Sequence, residues 1–141
     1  MNHQNNFLSL PETIRENCRF CCWRKEHRNG TDTKGPYTPT SGNRARSNDV
    51  KTFRSFEQAL TAYNNSQNTK HPYSGLGICV DGDIGAIDID HCLDDDGNLN
   101  DVATAVLGAF KNCYFEVSPS GTGLRGFFQL SQDFKYDTAV Y

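Results

Sequence analysis

The chain has 141 residues, of which 36% are hydrophobic, enough for one modest core. Residues 1–70 carry 11 Lys and Arg against 6 Asp and Glu, whereas residues 71–141 carry 3 against 11. This asymmetry suggests a protein that binds a polyanion, or its phosphates, at a metal-binding carboxylate cluster. A simple solvated acidic face explains the asymmetry equally well. The first residues lack the basic and apolar regions of a secretory signal, and no apolar run approaches the ~20 residues that span a bilayer. We therefore expect a soluble, cytoplasmic protein without a membrane partner, whose six cysteines are thiols.

The first half of the chain predicts a helix, a hairpin and a second helix. Pro11 can open a short helix that runs to about Asn17. The alternating segment 19–25, the Asn29-Gly30 turn and a return strand at 33–37 predict a β-hairpin. After the polar loop 38–49, Ser55 and Gln58 form a capping-box pattern for a helix that ends near residue 64.

The second half predicts the order strand, strand, helix, strand, strand. Strands are expected at 75–80 and 85–91 around a tight turn, a helix at 101–110 capped by Asn98 or Asn100, and strands at 113–118 and 124–130. This order indicates an α+β or α/β protein, and we expect α+β with a mixed or antiparallel sheet and flanking helices. One domain over 1–141 would combine a basic hairpin and helix module (1–70) with an acidic module (71–141).

Two aspartates stand in the apolar segment IGAIDIDH at 84–91. Because side chains alternate along a strand, Ile87 and Ile89 would cover the core while Asp88 and Asp90 share the other face, about 7 Å apart. Two such carboxylates repel each other unless a cation lies between them, and Mg²⁺ or Mn²⁺ accepts this ligand set. We favour a metal site over an exposed face with solvated charges.

The Gly-rich segment SPSGTGLR at 118–125 is the second candidate. Free backbone N–H groups in a Gly-x-Gly turn can converge on an anion, hydroxyl groups add donors, and an arginine can bind phosphate in a bidentate manner. Such turns mostly just reverse the chain, so the candidate depends on its position after a carboxylate strand. The predicted nucleotide-binding residues are Ser118, Ser120, Gly121, Thr122, Gly123 and Arg125.

Other metal sites and a nucleophilic site have weaker support. A calcium loop around Gly97 is excluded, because Cys92 and Ala103 would occupy its first and twelfth positions, where carboxylates are required. A structural zinc on Cys18, Cys21 and Cys22 lacks a second ligand pair, and such cysteines are commonly small buried hydrophobes. No local pattern supports a Cys/His/Asp triad, and His91 is expected to be a core or edge histidine.

Six segments in this order resemble the N-terminal part of phage- and plasmid-type primase–polymerases of the archaeo-eukaryotic primase superfamily. The resemblance covers roughly residues 8–130. The segments are CWR (22–24), TKGPYTPTSGNRARSND (33–49), SFEQAL (55–60), GLGICV (75–80), GAIDIDHC (85–92) and EVSPSGTGLRGFF (116–128). The fold implied is part of the primase–polymerase catalytic fold.

The resemblance also implies residue roles. Asp88 and Asp90 match the catalytic acids that hold divalent metals, and Arg125 matches a histidine that contacts the incoming nucleotide. Arginine can still hold a triphosphate, but it cannot act as a neutral imidazole. Lys34, Arg44 and Arg46 are candidates for phosphate or template contact, with solvated loop charges as the alternative for each.

The family's third metal acid has no counterpart in a strand-like segment here, and neither Asp133 nor Asp137 is assigned to that role. We therefore expect a truncated chain or a fragment, active as a nucleotidyltransferase if the third acid lies beyond Tyr141. Implied partners are a nucleoside triphosphate, a single-stranded DNA template, and a downstream helicase domain or replication proteins. The alternative is a non-catalytic module that binds nucleotides or single strands; a metal-dependent nuclease and a glycosyltransferase rank lower.

Overall fold

The computed structural model describes residues 6–130 and shows an α+β protein with two antiparallel sheets of three strands each. The predicted fold class is therefore confirmed. The chain divides between Cys79 and Val80 into two compact units, which we call unit 1 and unit 2. None of the helices in the described residues is both long enough and apolar enough to cross a membrane.

Unit 1 contains the β2-β1-β3 sheet and two helices. Its elements are α1 (Glu12–Asn17), β1 (Phe20–Arg28), β2 (Thr31–Tyr37), α2 (Phe56–Ser66) and β3 (Gly75–Ile78), with short 3₁₀ turns at Phe7–Ser9 and Val50–Thr52. The predicted hairpin is confirmed, because Asn29 and Gly30 both have positive φ and connect paired residues of β1 and β2.

Each face of the unit 1 sheet has its own apolar contacts. Phe20 is fully buried and meets the ring of Phe56 on α2 edge-on, with the centroids 5.3 Å apart. The neighbouring Cys21 packs instead with Ala45 and Phe53. The predicted capping box of α2 is present, since Ser55 accepts a hydrogen bond from the backbone of Gln58 and its own backbone N–H is bonded in return. The core of this unit therefore follows from strand alternation and one amphipathic helix.

Unit 2 contains the β4-β6-β5 sheet and one helix. Its elements are β4 (Ile84–Ile89), α3 (Asp101–Ala109), β5 (Tyr114–Val117) and β6 (Leu124–Gln129). Asn100 caps α3 by accepting a hydrogen bond from the Ala103 N–H. Ala103 on α3 packs in a cluster with Leu124 and Cys92, so α3 covers one face of this sheet.

Candidate functional site

The carboxylate strand β4 has the predicted alternation but ends earlier than predicted. Ile87 and Ile89 are half-buried, and Ile89 packs against the core cluster under α3, whereas Asp88 is exposed. Asp90 and His91 belong to the turn that follows β4, and His91 has φ of +51°. The prediction that both aspartates stand on the strand is therefore wrong for Asp90, which extends from the strand end.

His91 is exposed in this turn, which excludes the core and leaves the edge of the two predicted positions. The left-handed backbone at His91 is uncommon for a residue with a side chain. It reverses the chain so that the backbone N–H groups of Cys92 and Leu93 both donate to the Thr122 carbonyl oxygen, at 2.8 and 3.0 Å. The strand therefore ends where the chain turns to meet the Gly-rich segment.

Hydrogen bonds within the Gly-rich turn 118–123 fix its shape. The backbone N–H of Gly121 donates to the Ser118 carbonyl oxygen at 2.8 Å, and the N–H of Gly123 donates to Ser118 Oγ at 3.1 Å. The N–H of Thr122 is directed at Ser120 Oγ at 3.4 Å. These three amides are engaged inside the turn, so the expectation that free amides converge on an anion is not met in this conformation.

The hydroxyl groups of the turn form a continuous line. Ser118 Oγ lies 2.8 Å from Ser120 Oγ, which lies 3.1 Å from Thr122 Oγ1. Ser120 and Thr122 are exposed, and Ser118 is half-buried. Hydroxyl groups can rotate to donate or accept as a ligand requires. The polar donors that this turn offers to an anion are therefore its side chains.

Gly123 lies where the turn comes closest to the strand end. A Cβ atom added at Gly123 would lie 2.7 Å from the carbonyl oxygen of Ile89 and 3.5 Å from the Cα of Asp90. Only glycine allows two backbone segments to approach this closely. The structure thus brings together the two candidates that sequence analysis identified separately, the acids and the Gly-rich turn.

A row of three charged residues crosses the centre of the unit 2 sheet. Arg125 on β6 is paired in register with Asp88 on β4 and with Glu116 on β5, so the three side chains share one face. We call Asp88, Arg125 and Glu116 the charge row. Arg125 Nη2 lies 3.0 Å from Asp88 Oδ2, and the two side chains are 34% and 51% exposed. The Arg125 guanidinium group is therefore already ion-paired with Asp88, one of the two predicted metal ligands.

Glu116 is the residue that sequence analysis missed. It is half-buried and accepts a hydrogen bond from the hydroxyl of Tyr114 at 3.1 Å. Burial and the nearby carboxylate raise the pKa of Tyr114 to about 12, so this hydroxyl remains a donor. The alternation in YFEV places Tyr114 and Glu116 on one face, but only the strand register aligns Glu116 with Arg125.

The donor set of Asp88 and Asp90 suits a hard divalent cation that keeps water and phosphate oxygens as its other ligands. Within residues 6–130, no three His, Cys, Asp or Glu side chains are grouped closely enough to hold a metal ion. Asp133 and Asp137 lie outside the described residues. Metal binding here would therefore depend on two carboxylates and on groups that a substrate brings.

Two of the three cysteines considered for a structural zinc, Cys21 and Cys22, are directed away from each other. Cys21 and Cys22 are successive residues of β1 and point to opposite faces, and Cys22 Sγ lies 3.4 Å from the Ala59 carbonyl oxygen. Burial raises the pKa of Cys21 to about 11 and that of Cys22 to about 12. Cys18, Cys21 and Cys22 form no disulfide bond. Inert buried thiols account for this geometry.

The predicted basic contacts lie in unit 1 and differ in their surroundings. Lys34 is exposed, and its Nζ lies 5.4 Å from the centre of the Trp23 ring. Arg44 is ion-paired with Glu26, with 2.7 Å between Nη2 and Oε2. Arg46 is exposed, and its backbone is bonded to Thr52. Their role in binding phosphate stays a prediction.

Comparison with known proteins gives one informative relationship, and it points to the primase–polymerases. Over 109 residues, 75% of this chain, the sequence is 32% identical to the DNA primase-polymerase of Nitratiruptor phage NrS-1. The chain spans 14% of the length of that relative. No family model matches the chain. The chain is thus related to a phage DNA primase-polymerase.

Proposed function

We propose that this chain is a primase–polymerase-like module that binds a nucleoside triphosphate with a divalent cation for nucleotidyl transfer in phage or plasmid replication. The observation that supports this most directly is the junction of Asp88 and Asp90 with the Gly-rich turn, fixed by the bonds to the Thr122 carbonyl oxygen. The sequence relationship to a phage DNA primase-polymerase supports the same function.

In this proposal Asp88 and Asp90 hold Mg²⁺ or Mn²⁺, with water and phosphate oxygens as the remaining ligands. When bound, the cation supplies charge neutralisation of the phosphates and activation of a 3′-hydroxyl for attack at the α-phosphorus. Asp88 must exchange its contact with Arg125 for the cation, because one carboxylate oxygen now faces the guanidinium group at 3.0 Å. Glu116 lies on the other side of Arg125 and can receive it.

The turn and Arg125 bind the triphosphate in this proposal. Ser118, Ser120 and Thr122 direct hydroxyl groups along one line, where they can donate to phosphate oxygens. Arg125 presents a planar guanidinium group that suits bidentate contact with phosphate. The amides of Gly121 and Gly123 hold the turn in shape and are already bonded.

A single-stranded DNA template, contacted by Lys34, Arg44 and Arg46, completes the proposal, together with a helicase domain or replication proteins as partners. Lys34 and Arg46 have exposed side chains that can reach phosphates. Arg44 would act from its ion pair with Glu26.

The metal assignment is tested by replacing both acids. The double variant Asp88→Asn with Asp90→Asn should abolish Mn²⁺-dependent binding of a nucleoside triphosphate, measured by calorimetry, because the two charges that attract the cation are removed. Asp95→Asn with Asp96→Asn is the matched control, since these exposed loop residues of unit 2 carry the same charge. Unchanged nucleotide binding in the first variant, with an intact fold by circular dichroism, would contradict the assignment.

A non-catalytic module that binds nucleotides or single strands is the second candidate function. The observation in its favour is that, within residues 6–130, no third acid is grouped with Asp88 and Asp90 closely enough to hold a metal ion. Primer extension by this chain separates the two functions. Metal-dependent nucleotide binding without any extension product supports the binding module, whereas extension that requires Asp88 supports the enzyme.

A further inference from the structure

One face of the β1–β2 hairpin in unit 1 carries an excess of guanidinium groups. Arg24, Glu26 and Arg28 alternate along β1 and therefore share a face, and Arg44 from the following loop reaches the same place. Arg28 Nε lies 3.2 Å from Glu26 Oε2, and Arg44 Nη2 lies 2.7 Å from the same oxygen. We call Arg24, Arg28 and Arg44 the arginine face. Two of these guanidinium groups share the Glu26 carboxylate and Arg24 has no carboxylate partner among the described residues, which leaves this face positive.

The single carboxylate is covered by its partners. The Glu26 side chain is 14% exposed, compared with 33% for Arg44 and 63% for Arg28. Glu26 also accepts a hydrogen bond from the hydroxyl of Tyr37. Gly35 leaves the space for this group, because an added Cβ would collide with the Arg44 guanidinium group and the Glu26 carboxylate. The anion lies inside the cluster and the cations lie outside it.

Arg24 keeps its charge without a carboxylate. No ion pair of Arg24 is found among the described residues, and its guanidinium carbon lies 4.3 Å from the ring centre of Tyr37 and 4.7 Å from that of Tyr73. Contact with the ring faces holds a guanidinium group and leaves its in-plane N–H groups for a ligand. Its Nε is buried without a hydrogen-bond partner in the described part of the chain, which costs stability.

The spacing of the charges indicates what this face binds. Arg24 and Arg28 are four residues apart on one strand, which separates them by roughly 13 Å at the rise of a β-strand. A lone phosphate or carboxylate cannot contact both guanidinium groups at that distance, but successive phosphates of one strand can. Guanidinium groups also suit phosphate oxygens through paired hydrogen bonds.

We propose that the arginine face binds the phosphodiester backbone of a nucleic-acid strand, with Arg24 and Arg28 as phosphate contacts and Glu26 as the residue that positions Arg28 and Arg44. This site lies entirely in unit 1 and requires neither Asp88 nor a divalent cation. The inference rests on the single-stranded template of the proposed function and assigns further residues to it, but strand binding measured without a divalent cation can hold where nucleotidyl transfer fails.

The test is binding of a fluorescently labelled 20-nucleotide oligothymidylate by anisotropy, with a chelator present and over a series of salt concentrations. The double variant Arg24→Gln with Arg28→Gln should bind at least about tenfold more weakly at low salt. Its plot of log affinity against log salt should be shallower by about 1.4, because each lost phosphate contact on a single strand removes about 0.7. Lys25→Gln with Lys51→Gln is the matched control, since it removes the same charge from exposed lysines outside the arginine face.

Equal weakening by the control variant would mean that total charge alone matters, and it would overturn the proposal. So would an unchanged salt slope in the arginine variant with unaltered thermal unfolding. If that variant does not fold, the single variant Arg28→Gln gives the answer, because Arg28 is 63% exposed and its loss should weaken binding and make the salt slope shallower by about 0.7.

The identity of the polyanion is tested by competition. Oligothymidylate should displace the probe far better than polyglutamate of the same charge or a free nucleoside triphosphate. Equal displacement by polyglutamate would assign the face to an acidic polypeptide, and equal displacement by the mononucleotide would assign it to a single phosphate group. Either result would overturn the nucleic-acid assignment.

Discussion

At the scale of single residues, Arg125 connects the two parts of the candidate site. Its side chain lies in register between Asp88 and Glu116 and contacts Asp88 at 3.0 Å. A cation at Asp88 and a phosphate at Arg125 would each require this ion pair to open. The pair is half-exposed, so its contribution is about 1 kcal/mol or less and can be overcome by either ligand.

The variant Arg125→Gln should therefore separate the two ligands. Mn²⁺ alone should bind up to about fivefold more tightly, because Asp88 loses a competing partner worth about 1 kcal/mol or less. The triphosphate should bind more weakly, because a phosphate contact is lost. Electron paramagnetic resonance of free Mn²⁺ measures the change in Mn²⁺ affinity, and calorimetry measures the change in triphosphate affinity.

Lys111→Gln serves as the control for this variant, since it removes one positive charge from an exposed position of unit 2. If the Mn²⁺ affinity of Arg125→Gln equals that of Lys111→Gln, Arg125 does not compete with a cation for Asp88. Tighter binding of both ligands would show that Arg125 has no role in holding the triphosphate.

At the scale of elements, the approach of the Gly-rich turn to the end of β4 defines the site. The contact at Gly123 is with a backbone oxygen, which cannot move aside as a flexible side chain can. Gly108 in α3 is the opposite case, because a Cβ there would meet no atom within 4 Å. The two glycines provide a matched pair within one unit.

Gly123→Ala should lower the free energy of unfolding by about 1–3 kcal/mol, the usual cost of forcing extra atoms into a packed position. Gly108→Ala should raise it by up to about 1 kcal/mol, because alanine favours the helix over glycine. Urea denaturation of both variants measures these changes. A neutral effect of Gly123→Ala would mean that the turn does not need to lie against the strand.

At the scale of the whole molecule, a carboxyl group with a lowered pKa is found in each unit among residues 6–130. The hydrogen bond from Tyr37 and the contact with Arg44 lower the pKa of Glu26 from 4.5. Hydrogen bonds from the side chain and backbone of Asn98 lower the pKa of Asp94 from 3.8. A carboxyl group of this kind stabilises the fold fully above its unfolded pKa, and this stabilisation is lost as the pH falls through its folded pKa.

The free energy of unfolding should therefore decrease as the pH falls below the ordinary pKa of each group, 4.5 for Glu26 and 3.8 for Asp94. Denaturation at a series of pH values measures this slope. Glu26→Gln and Asp94→Asn should each reduce the slope of unfolding free energy against pH, over the pH range in which the replaced carboxyl group titrates, because the amide does not titrate. A variant with the same pH slope as the original protein would show that its carboxyl group is not linked to folding.

Local patterns predicted the elements well, because their causes are local. The Asn29-Gly30 turn, the Ser55 capping box and the Asn100 cap depend on neighbouring residues, and all three are confirmed. The end of β4 was predicted too late, since the turn after Ile89 is held by hydrogen bonds from the Cys92 and Leu93 N–H groups to the carbonyl oxygen of Thr122, which is distant in the chain.

The sequence by itself determined the secondary structure, the separate core and acid faces of β4, and the candidate acids and Gly-rich turn. These follow from alternation, capping and turn chemistry within a few residues. Only the tertiary structure decided that Arg125 lies between Asp88 and Glu116, and that Arg24 lies against Tyr37 and Tyr73. Strand register and loop packing join residues that are distant in the chain, and no local pattern specifies which of them meet.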